Sequence, residues 1–174
     1  DFETTNSSTK LLWIDGKPGW IIDIEETGSN YVLTSTISWT ATGSRAVGRF
    51  LVKSSSTTRP TITCATNSVA LFTTNGTINF CELRHLKLTH TAATRGLCAT
   101  YSGGGGGPFY LTDCECDGFS TLMNVCYVFL PIVTNCLIKN CTATTGVFID
   151  VSSGEFANNT FQDNAGSCIY GTNG

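Results

Sequence analysis

Charged side chains are scarce in this chain, and the scarcity limits the partners it can have. Only 13% of the 174 residues are Asp, Glu, Lys or Arg, against about a quarter in a typical soluble domain. The 10 basic and 13 acidic residues leave a formal net charge of −3. The most basic stretch, residues 84–87, is short and lies beside Glu82. Because nucleic-acid binding needs a basic stripe that neutralises phosphates, the sequence excludes a nucleic-acid partner.

Long apolar runs are also lacking. A helix that spans a bilayer needs roughly 20 consecutive apolar residues, whereas the most apolar segment, residues 125–133, is short and contains Pro131. The sequence therefore predicts no membrane span. Thr, Ser, Asn and 18 glycines take the place of the usual helix formers, and this mixture favours short strands and turns over long helices.

The chain starts without an initiator Met and without a basic and apolar leader. We expect that Asp1 follows a cut, so that any signal peptide has been removed or lies outside this chain. The abrupt end at Gly174, soon after residues 168–170, predicts that more protein follows.

Cysteine, by contrast, is abundant. Nine cysteines in a chain of this size are typical of a secreted protein, and their odd number leaves at least one unpaired. Four sequons agree with secretion, and their candidate glycosylation sites are Asn6, Asn75, Asn140 and Asn158. Chance explains the sequons equally well, because Asn and Thr are so common here. The sequence predicts an extracellular or cell-surface location.

A repeat of nearly constant length is the strongest signal for the fold. An apolar residue, one outward residue and a second apolar residue recur at Ile37-Ser-Trp39, Ile62-Thr-Cys64, Leu86-Lys-Leu88, Cys114-Glu-Cys116, Cys136-Leu-Ile138 and Asn159-Thr-Phe161. The first positions lie 25, 24, 28, 22 and 23 residues apart. The step of 28 contains the run Gly103–Gly107, which we interpret as an inserted, protruding loop that serves as a spacer or a contact tip.

Two further apolar series accompany the first. One comprises Leu71-Phe72, Leu97-Cys98, Leu122-Met123, Val147-Phe148 and Cys168-Ile169. The other precedes members of the first series by three residues, at Leu83, Leu111, Val133 and Phe156. Each repeat therefore holds at least two short strands with turns between them. Such a unit cannot bury its apolar face alone, so stacked units share one continuous core.

Parallel stacking places equivalent residues above one another. The expected inward columns are Trp39-Cys64-Leu88-Cys116-Ile138-Phe161 and Ile37-Ile62-Leu86-Cys114-Cys136-Asn159. Because an inward amide needs hydrogen-bond partners, we expect Asn159 at a corner or near a coil end. The prediction is an all-β fold, a right-handed parallel β-helix (solenoid) of about five to six coils over residues 34–174. An antiparallel sandwich also uses short strands, but it does not explain the near-constant repeat.

Residues 1–33 lie outside the repeat and predict an N-terminal cap. Residues 11–14, the turn-forming residues 15–19 and residues 20–24 indicate a β-hairpin that carries Trp13 and Trp20. An exposed end of a β-helix is an open sheet edge that invites pairing. The hairpin therefore either covers that edge or docks onto the next subunit.

Two stretches resemble the FxxN and GGxI motifs of right-handed β-helix surface proteins. Phe161-Gln-Asp-Asn164 fits FxxN, Gly166-Ser-Cys-Ile169 approximates GGxI, and residues 75–88 look like an earlier coil of the same kind. Over residues from about 30 to 170 the chain is similar to the pectin-lyase-like superfamily, which includes polymorphic outer-membrane proteins, adhesins, phage tailspikes and polysaccharide-degrading enzymes. The resemblance implies a fold more than an activity, because one scaffold hosts many functions. The earlier coils depart from both motifs, so the resemblance implies no particular subfamily.

The stretch Asp113-Cys-Glu-Cys-Asp117 carries the most suggestive chemistry. With both cysteines inward, Asp113, Glu115 and Asp117 point outward along one strand, where the enzymes of the superfamily place their acids. Paired carboxylates can cleave glycosidic bonds or hold Ca²⁺. The three acids are therefore the candidate catalytic residues.

The repeat register gives these acids a structural explanation, which we favour. Glu115 stacks over Lys87, Asp117 lies next to Lys139, and Asp113 lies between His85 and Asn135, so each acid has a polar or oppositely charged neighbour. No lyase-type Arg or Lys motif, paired-aspartate signature or Gly-His-Gly is present. We therefore assign no catalytic residue. His85 beside Asp113 forms either an acid–base pair or an ordinary surface contact.

The cysteines divide into two groups. Cys64, Cys114, Cys116 and Cys136 fall on the inward columns and are expected to be small core residues. The candidates for disulfides lie nearer the turns or the second apolar series: Cys81, Cys98, Cys126, Cys141 and Cys168. Their connectivity stays open. The Cys and His spacings do not match a zinc pattern, so we predict no metal site and no cofactor.

Two classes of function fit this sequence. The first is a non-catalytic extracellular structural or adhesive protein, which self-associates head to tail as a filament or appendage subunit, or contacts other surface proteins. The second is a polysaccharide-binding or polysaccharide-cleaving module, similar to a lyase or a glycosidase, that uses the outward acidic strand on glycans.

Overall fold

The computed structural model describes residues 12–14, 17–34, 37–39, 49–65, 72–74, 80–91, 98–100, 109–120, 123–124, 131–144, 146–149 and 154–170. The regular structure within these ranges is entirely β-strand, without a helix. This composition follows from side chains that favour strands and turns.

The strands are short and are separated by polar corners. The first two are β1 (Leu12–Ile14) and β2 (Lys17–Asp23). Then follow β3 (Tyr31–Leu33), β4 (Ile37–Trp39), β5 (Arg49–Lys53), β6 (Thr61–Cys64), β7 (Phe72–Thr74), β8 (Phe80–Arg84), β9 (Lys87–His90) and β10 (Cys98–Thr100). The remainder are β11 (Phe109–Thr112), β12 (Glu115–Asp117), β13 (Met123–Asn124), β14 (Pro131–Thr134), β15 (Leu137–Lys139), β16 (Gly146–Ile149), β17 (Glu155–Ala157), β18 (Thr160–Gln162) and β19 (Ser167–Tyr170).

These strands build three sheets. The first sheet has the order β1-β2-β5-β8-β11-β14-β17, the second β3-β6-β9-β12-β15-β18, and the third β4-β7-β10-β13-β16-β19. From β2 onward the chain visits the three sheets in turn, and we use "repeat" for one such set, from β2–β4 to β17–β19. Successive repeats pair in parallel. This arrangement is compatible with a parallel β-solenoid.

The register confirms two of the three apolar series. In the third sheet, Phe72 pairs with Cys98, Cys98 with Met123, Met123 with Phe148, and Phe148 with Ile169. In the first sheet, Leu83 pairs with Leu111, Leu111 with Val133, and Val133 with Phe156. Equivalent residues therefore stack on one another, as the periodicity predicts.

For the remaining series, the predicted stacking is wrong for the first two members, Ile37–Trp39 and Ile62–Cys64. The last four members pair as expected, with Leu88 next to Cys116, Ile138 and Phe161 in turn. However, Leu88 pairs with Ile62 instead of Cys64, and Ile62 pairs with Tyr31. The expected Ile37–Trp39 belongs to the third sheet, where it pairs with β7. In the first two repeats, the loop between the first and second sheets is longer than in the later repeats. A period counted from the later repeats therefore assigns the wrong residues to the first two positions of the inward column.

The two strands of the predicted hairpin pair antiparallel, but residues 17–19, which were expected in the turn, belong to β2 and pair with β1. Leu12 lies opposite Gly19 and Ile14 opposite Lys17. Strand β2 also pairs in parallel with β5, and β3 pairs with β6. Parallel pairing therefore begins ahead of residue 34, the predicted start of the repeat.

The core lies between the sheets and consists of inward columns. In the first sheet Val52, Leu83, Leu111 and Val133 are each 0% exposed, and in the second Ile62, Leu88, Cys116 and Ile138 are also 0% exposed. Burial of one large aliphatic side chain contributes about 1.5–3 kcal/mol. The alternation of buried and partly exposed residues along β11, β12, β14 and β15 turns the intervening side chains outward. This places the acids of β12 on the surface.

Candidate functional site

The corner between the first and second sheets changes shape along the molecule. In the last four repeats it is a tight turn whose first residue has a positive φ: His85 (55°), Asp113 (53°), Asn135 (57°) and Asn158 (56°). His, Asp and Asn are the residues other than Gly that most readily adopt this conformation. In the first two repeats the same corner is a longer loop, residues 24–30 and 54–60. We name these two loops the ledge.

Hydrogen bonds join the two loops of the ledge near their base. Lys53 Nζ donates to Asp23 Oδ2 at 2.7 Å, and the Ser55 amide donates to Asp23 Oδ1 at 2.9 Å. The Glu26 amide donates to Ser56 Oγ at 3.0 Å. Hydrogen bonds from Lys53 and then Ser55 lower the pKa of Asp23 from its ordinary value. Each loop is therefore anchored on the other.

Asp113 is bonded from two different repeats. Arg59 of the ledge donates from Nη2 to Asp113 Oδ1, and from Nε to the Asp113 carbonyl oxygen at 2.9 Å. His85 Nδ1 lies 2.6 Å from Asp113 Oδ2. Partial burial opposes ionisation of Asp113, but hydrogen bonds from His85 and Arg59 outweigh it and lower its pKa. Because an ionised carboxylate only accepts hydrogen bonds, His85 Nδ1 carries the proton of this bond.

Glu115 and Asp117 project from β12 and are paired as the register predicts. Glu115 lies opposite Lys87, and Asp117 lies opposite Lys139. Glu115 Oε1 is 3.1 Å from Lys87 Nζ and 2.9 Å from Lys139 Nζ. Asp117 Oδ2 is 3.5 Å from Lys139 Nζ, and Asn140 Nδ2 donates to Asp117 Oδ1 at 2.8 Å. The acidic strand is thus tied to the repeats on both sides of it.

These ion pairs determine the charge state of the strand. Burial disfavours the Glu115 carboxylate, but hydrogen bonds from Lys139 and Lys87 outweigh the burial and lower the pKa of Glu115. In return, the hydrogen bond to Glu115 raises the pKa of Lys139. Both groups therefore stay charged near neutral pH. A general acid has to be protonated near the working pH, so Glu115 is poorly suited to that role.

A cleft of about 670 Å³ lies where the ledge meets the second sheet. The ledge contributes Glu26, Gly28, Asn30, Thr57, Thr58 and Arg59, and the sheet and its corner contribute Thr61, His85, Lys87 and Glu115. The volume falls within the range of about 300–1,000 Å³ typical of ligand pockets. His85 is one of the lining residues, and its Nε2 atom is buried and has no hydrogen-bond partner among the described residues.

Sequence reasoning missed the ledge, the role of Arg59 and the cleft. Arg59 and Asp113 are two repeats apart, and periodicity predicts neighbours only in adjacent repeats. The available signal was the length and composition of the two loops, residues 24–30 and 54–60, which are rich in Ser, Thr and Gly. The paired neighbours of Glu115 and Asp117, by contrast, were predicted and are confirmed.

A column of polar side chains lines the inner side of the tight corner. Asn159 Oδ1 accepts a hydrogen bond from the Cys136 amide at 2.9 Å, and its Nδ2 donates to the Val133 carbonyl oxygen at 2.8 Å. One repeat earlier, Cys136 Sγ accepts from the Cys114 amide at 3.4 Å and donates to the Leu111 carbonyl oxygen at 3.4 Å. The thiol therefore replaces the amide in the same bridge, with longer and weaker bonds. The expected corner position of Asn159 is confirmed.

Six cysteines have side chains that the structure describes, and these six are free thiols. The four on the inward columns are buried, as expected: Cys64, Cys114, Cys116 and Cys136. Burial raises the pKa of Cys141 to about 12. Among the disulfide candidates, Cys141 is buried and Cys168 is exposed. Cys126 lies outside the described residues, and Cys81 and Cys98 are described only by their strand pairing. Disulfide formation by these candidates stays a prediction.

Two of the four candidate glycosylation sites are described. Asn140 and Asn158 are exposed and occupy corners with φ of 55° and 56°. Asn6 and Asn75 lie outside the described residues, as does the run Gly103–Gly107. Glycosylation of any of these asparagines stays a prediction.

The described ranges contain neither a cluster of metal ligands nor a membrane-spanning helix. Among the His, Cys, Asp and Glu residues of those ranges, no group of three or more is arranged to hold a metal ion. In the same part of the chain, no helix is long and apolar enough to cross a membrane. No family model matches the sequence, and neither a curated protein nor a solved structure matches it.

Proposed function

We propose that this chain is a right-handed parallel β-helix of about five to six coils, of the pectin-lyase-like type, with its N-terminal hairpin as a cap or docking segment. The in-register order of three sheets supports the proposal. The FxxN stretch supports it further, because Asn164 accepts a hydrogen bond from the Cys141 amide at 2.9 Å and donates to the Ile138 carbonyl oxygen at 3.1 Å. This motif thus ties one repeat to the preceding one.

We propose that the protein is a non-catalytic extracellular scaffold with a structural or adhesive role. The observation that carries this proposal is that the carboxylates of the acidic strand are held in ion pairs with other repeats. Asp113 is bonded to Arg59 and His85, and Glu115 is bonded to lysines on both neighbouring repeats. Carboxylates held in this way hold successive repeats together. The extracellular part of the proposal rests on the nine cysteines, the low charge and the sequons.

Self-assembly is part of this proposal. Strands β17, β18 and β19 are the last strands of their sheets among the described residues, and they belong to one repeat. Ile169, on β19, is 43% exposed. Strand edges that no described residue covers can pair with another chain, and contacts that do not close by symmetry build filaments. We therefore propose head-to-tail association of copies, or association with other surface proteins.

Electron microscopy and mass spectrometry test this function together. Negative-stain images of natively purified protein should show regular filaments, and the intact mass should fall after treatment with an N-glycosidase. Light scattering across a hundredfold concentration range should show growth in mass. Monodisperse monomers at high concentration would contradict the assembly, and an unmodified mass would contradict glycosylation of the sequons.

A polysaccharide-binding or polysaccharide-cleaving module is the second candidate function, and the cleft beside Glu115 is the observation that favours it. The ion pairs of the acidic strand favour binding over cleavage. Incubation with acidic and neutral glycans, followed by analysis of the products, tests cleavage directly. Release of fragments by the native chain, lost in Asp117→Asn, would establish cleavage and reject the non-catalytic proposal.

A further inference from the structure

Two buried thiols lie next to each other on the inner side of the tight corner. Cys114 of the fourth repeat and Cys136 of the fifth directly precede β12 and β15, which pair in parallel with Glu115 opposite Leu137. The two cysteines therefore occupy equivalent positions in neighbouring repeats, although they are 22 residues apart in the chain. The Cys136 sulfur accepts a hydrogen bond from the Cys114 amide at 3.4 Å, and the two thiols are hydrogen-bonded to each other.

The spacing of these two residues suits a disulfide bond. Neighbouring strands of a sheet are about 4.8 Å apart, and disulfides join residues whose Cα atoms lie roughly 4.4–6.8 Å apart. Stacked side chains run side by side, which by itself keeps two sulfurs apart. Here the Cys136 side chain leans toward the fourth repeat, because its sulfur lies 3.4 Å from the Leu111 carbonyl oxygen. Bonding then requires that the Cys114 sulfur leave the Leu83 carbonyl oxygen, from which it lies 3.5 Å, and turn toward Cys136.

The hydrogen bond between the thiols also gives them different roles. The hydrogen bond from Cys114 lowers the pKa of Cys136, whereas burial raises the pKa of Cys114. The thiolate is the form that attacks a disulfide. Cys136 is therefore the attacking sulfur, and Cys114 is the sulfur that completes the exchange.

We infer that Cys114 and Cys136 are an oxidisable pair, which forms a disulfide between the fourth and fifth repeats when the chain folds in the presence of a small-molecule disulfide such as oxidised glutathione. The Cys136 thiolate attacks one sulfur of the small disulfide and releases the first small thiol. The Cys114 sulfur then attacks the Cys136 sulfur of this mixed disulfide and releases the second small thiol. Two protein thiols lose two electrons and two protons, and the small disulfide takes up both as it becomes two thiols.

Burial of the pair decides when the bond forms. Cys114 is 0% exposed and Cys136 is 2% exposed, so a small disulfide reaches the sulfurs only while the corner is open. We therefore expect the bond to form during folding, whereas a chain that has folded with a reductant keeps both thiols. The extracellular location proposed above would favour the bonded form, but the inference depends on the corner alone.

Folding under two redox conditions tests the inference. The full chain is diluted out of urea into buffer with either reduced glutathione alone or a mixture of oxidised and reduced glutathione, and free thiols are then blocked. In the mixture, peptide mass spectrometry should find Cys114 linked to Cys136, with the loss of the two thiol hydrogens. Because the link closes a loop of the unfolded chain, the urea midpoint should rise by about 1 M over that of the reduced chain.

Two alanine variants separate the bond from the packing. Cys136→Ala removes one sulfur of the pair, so its urea midpoint should be the same in both buffers. Cys116→Ala is the matched control, because Cys116 is also 0% exposed but its strand neighbours are Leu88 and Ile138. The midpoint of this control should rise in the mixture as it does in the native chain. Comparison of the two buffers within each variant cancels the packing that the substitution removes.

Three results would each overturn the inference. The first is a folded, oxidised native chain without the peptide that links Cys114 to Cys136. The second is a rise in midpoint for Cys136→Ala equal to that of the native chain, which would assign the rise to other cysteines. The third is an oxidised native chain whose midpoint is at or below that of the reduced chain. The linked peptide is measured in the native chain, so it decides the question even where an alanine variant does not fold.

Discussion

Replacement of Asn159 tests how the repeats are held together at their inner corner. In Asn159→Ala the Cys136 amide and the Val133 carbonyl oxygen lose the bonds of 2.9 Å and 2.8 Å that bridge them. Each unsatisfied buried group costs about 1–3 kcal/mol. Asn159 is only partly buried, so water recovers part of this loss, and we expect a total destabilisation of about 2–4 kcal/mol.

The structure also provides a graded comparison for this prediction. Cysteine performs the same bridge at position 136, where the sulfur bonds are 3.4 Å long. Asn159→Cys should therefore lose roughly half as much stability as Asn159→Ala, because a thiol is a weak donor and acceptor. Asn158→Gly is the control, since glycine keeps the positive φ of this exposed neighbour.

Urea unfolding followed by circular dichroism measures these differences. The variants should lower the urea midpoint with an unchanged dependence of free energy on urea, which separates lost stability from a changed fold. The order of stability should be the native chain, then Asn159→Cys, then Asn159→Ala. A loss below about 0.5 kcal/mol for the alanine variant, or a cysteine variant no better than alanine, would refute the bridging role.

Other contacts in the fold lead to four further predictions. Glu115→Gln should cost about 1–2 kcal/mol in urea unfolding, because it removes a charge shared by two lysines, whereas Glu155→Gln on an exposed strand should change little. The pKa of Glu115 in the folded chain is lowered below its unfolded value of 4.5. The ion pairs of Glu115 therefore stabilise the fold above pH 4.5, and this stabilisation is lost as the pH falls through the folded pKa. Melting temperature should therefore fall below about pH 4.5, less steeply in Glu115→Gln; parallel profiles would contradict this. Gly118→Ala should lower the free energy of unfolding by at least about 2 kcal/mol, because φ is 78° and the new Cβ lies 2.9 Å from the carbonyl oxygen of His90 in the preceding repeat. Gly28→Ala is the control: its φ is 75° but the space around it is open, so it should cost about 1 kcal/mol. Cys168 should react with a thiol reagent in the native state, whereas the five buried thiols, Cys64, Cys114, Cys116, Cys136 and Cys141, should react only on unfolding. Fast labelling of any of these five, located by peptide mass spectrometry, would contradict the described core.

The acidic strand shows that carboxylates paired between repeats can look like a catalytic site in the sequence. Three outward acids within five residues resemble a catalytic site in the sequence. In the fold, their partners come from Arg59, His85, Lys87 and Lys139, which lie on the second, third and fifth repeats. Opposite charges on neighbouring parallel strands offset one another locally, and the acids then act as links between repeats.

Much of the fold could be predicted from the sequence because parallel stacking converts a period into contacts. The pairing of Leu83, Leu111 and Val133, and that of Glu115 with Lys87, follow directly from residues spaced one repeat apart. Side-chain alternation along a strand then decides which residues face the core. Asn159 could be placed at a corner because a buried amide requires backbone partners.

Only the tertiary structure determined the strand pairing and the contacts of the first two repeats, where the period changes. The loops at residues 24–30 and 54–60 displace the first two repeats, so Leu88 meets Ile62 instead of Cys64. The same loops bring Arg59 to Asp113 across an intervening repeat and form one side of the cleft. A period predicts only adjacent neighbours, whereas the reach of a long loop depends on its three-dimensional path. For that reason the sequence determined the stacked strands and their ion pairs, and only the folded chain determined the ledge, the cleft and the unsatisfied nitrogen of His85.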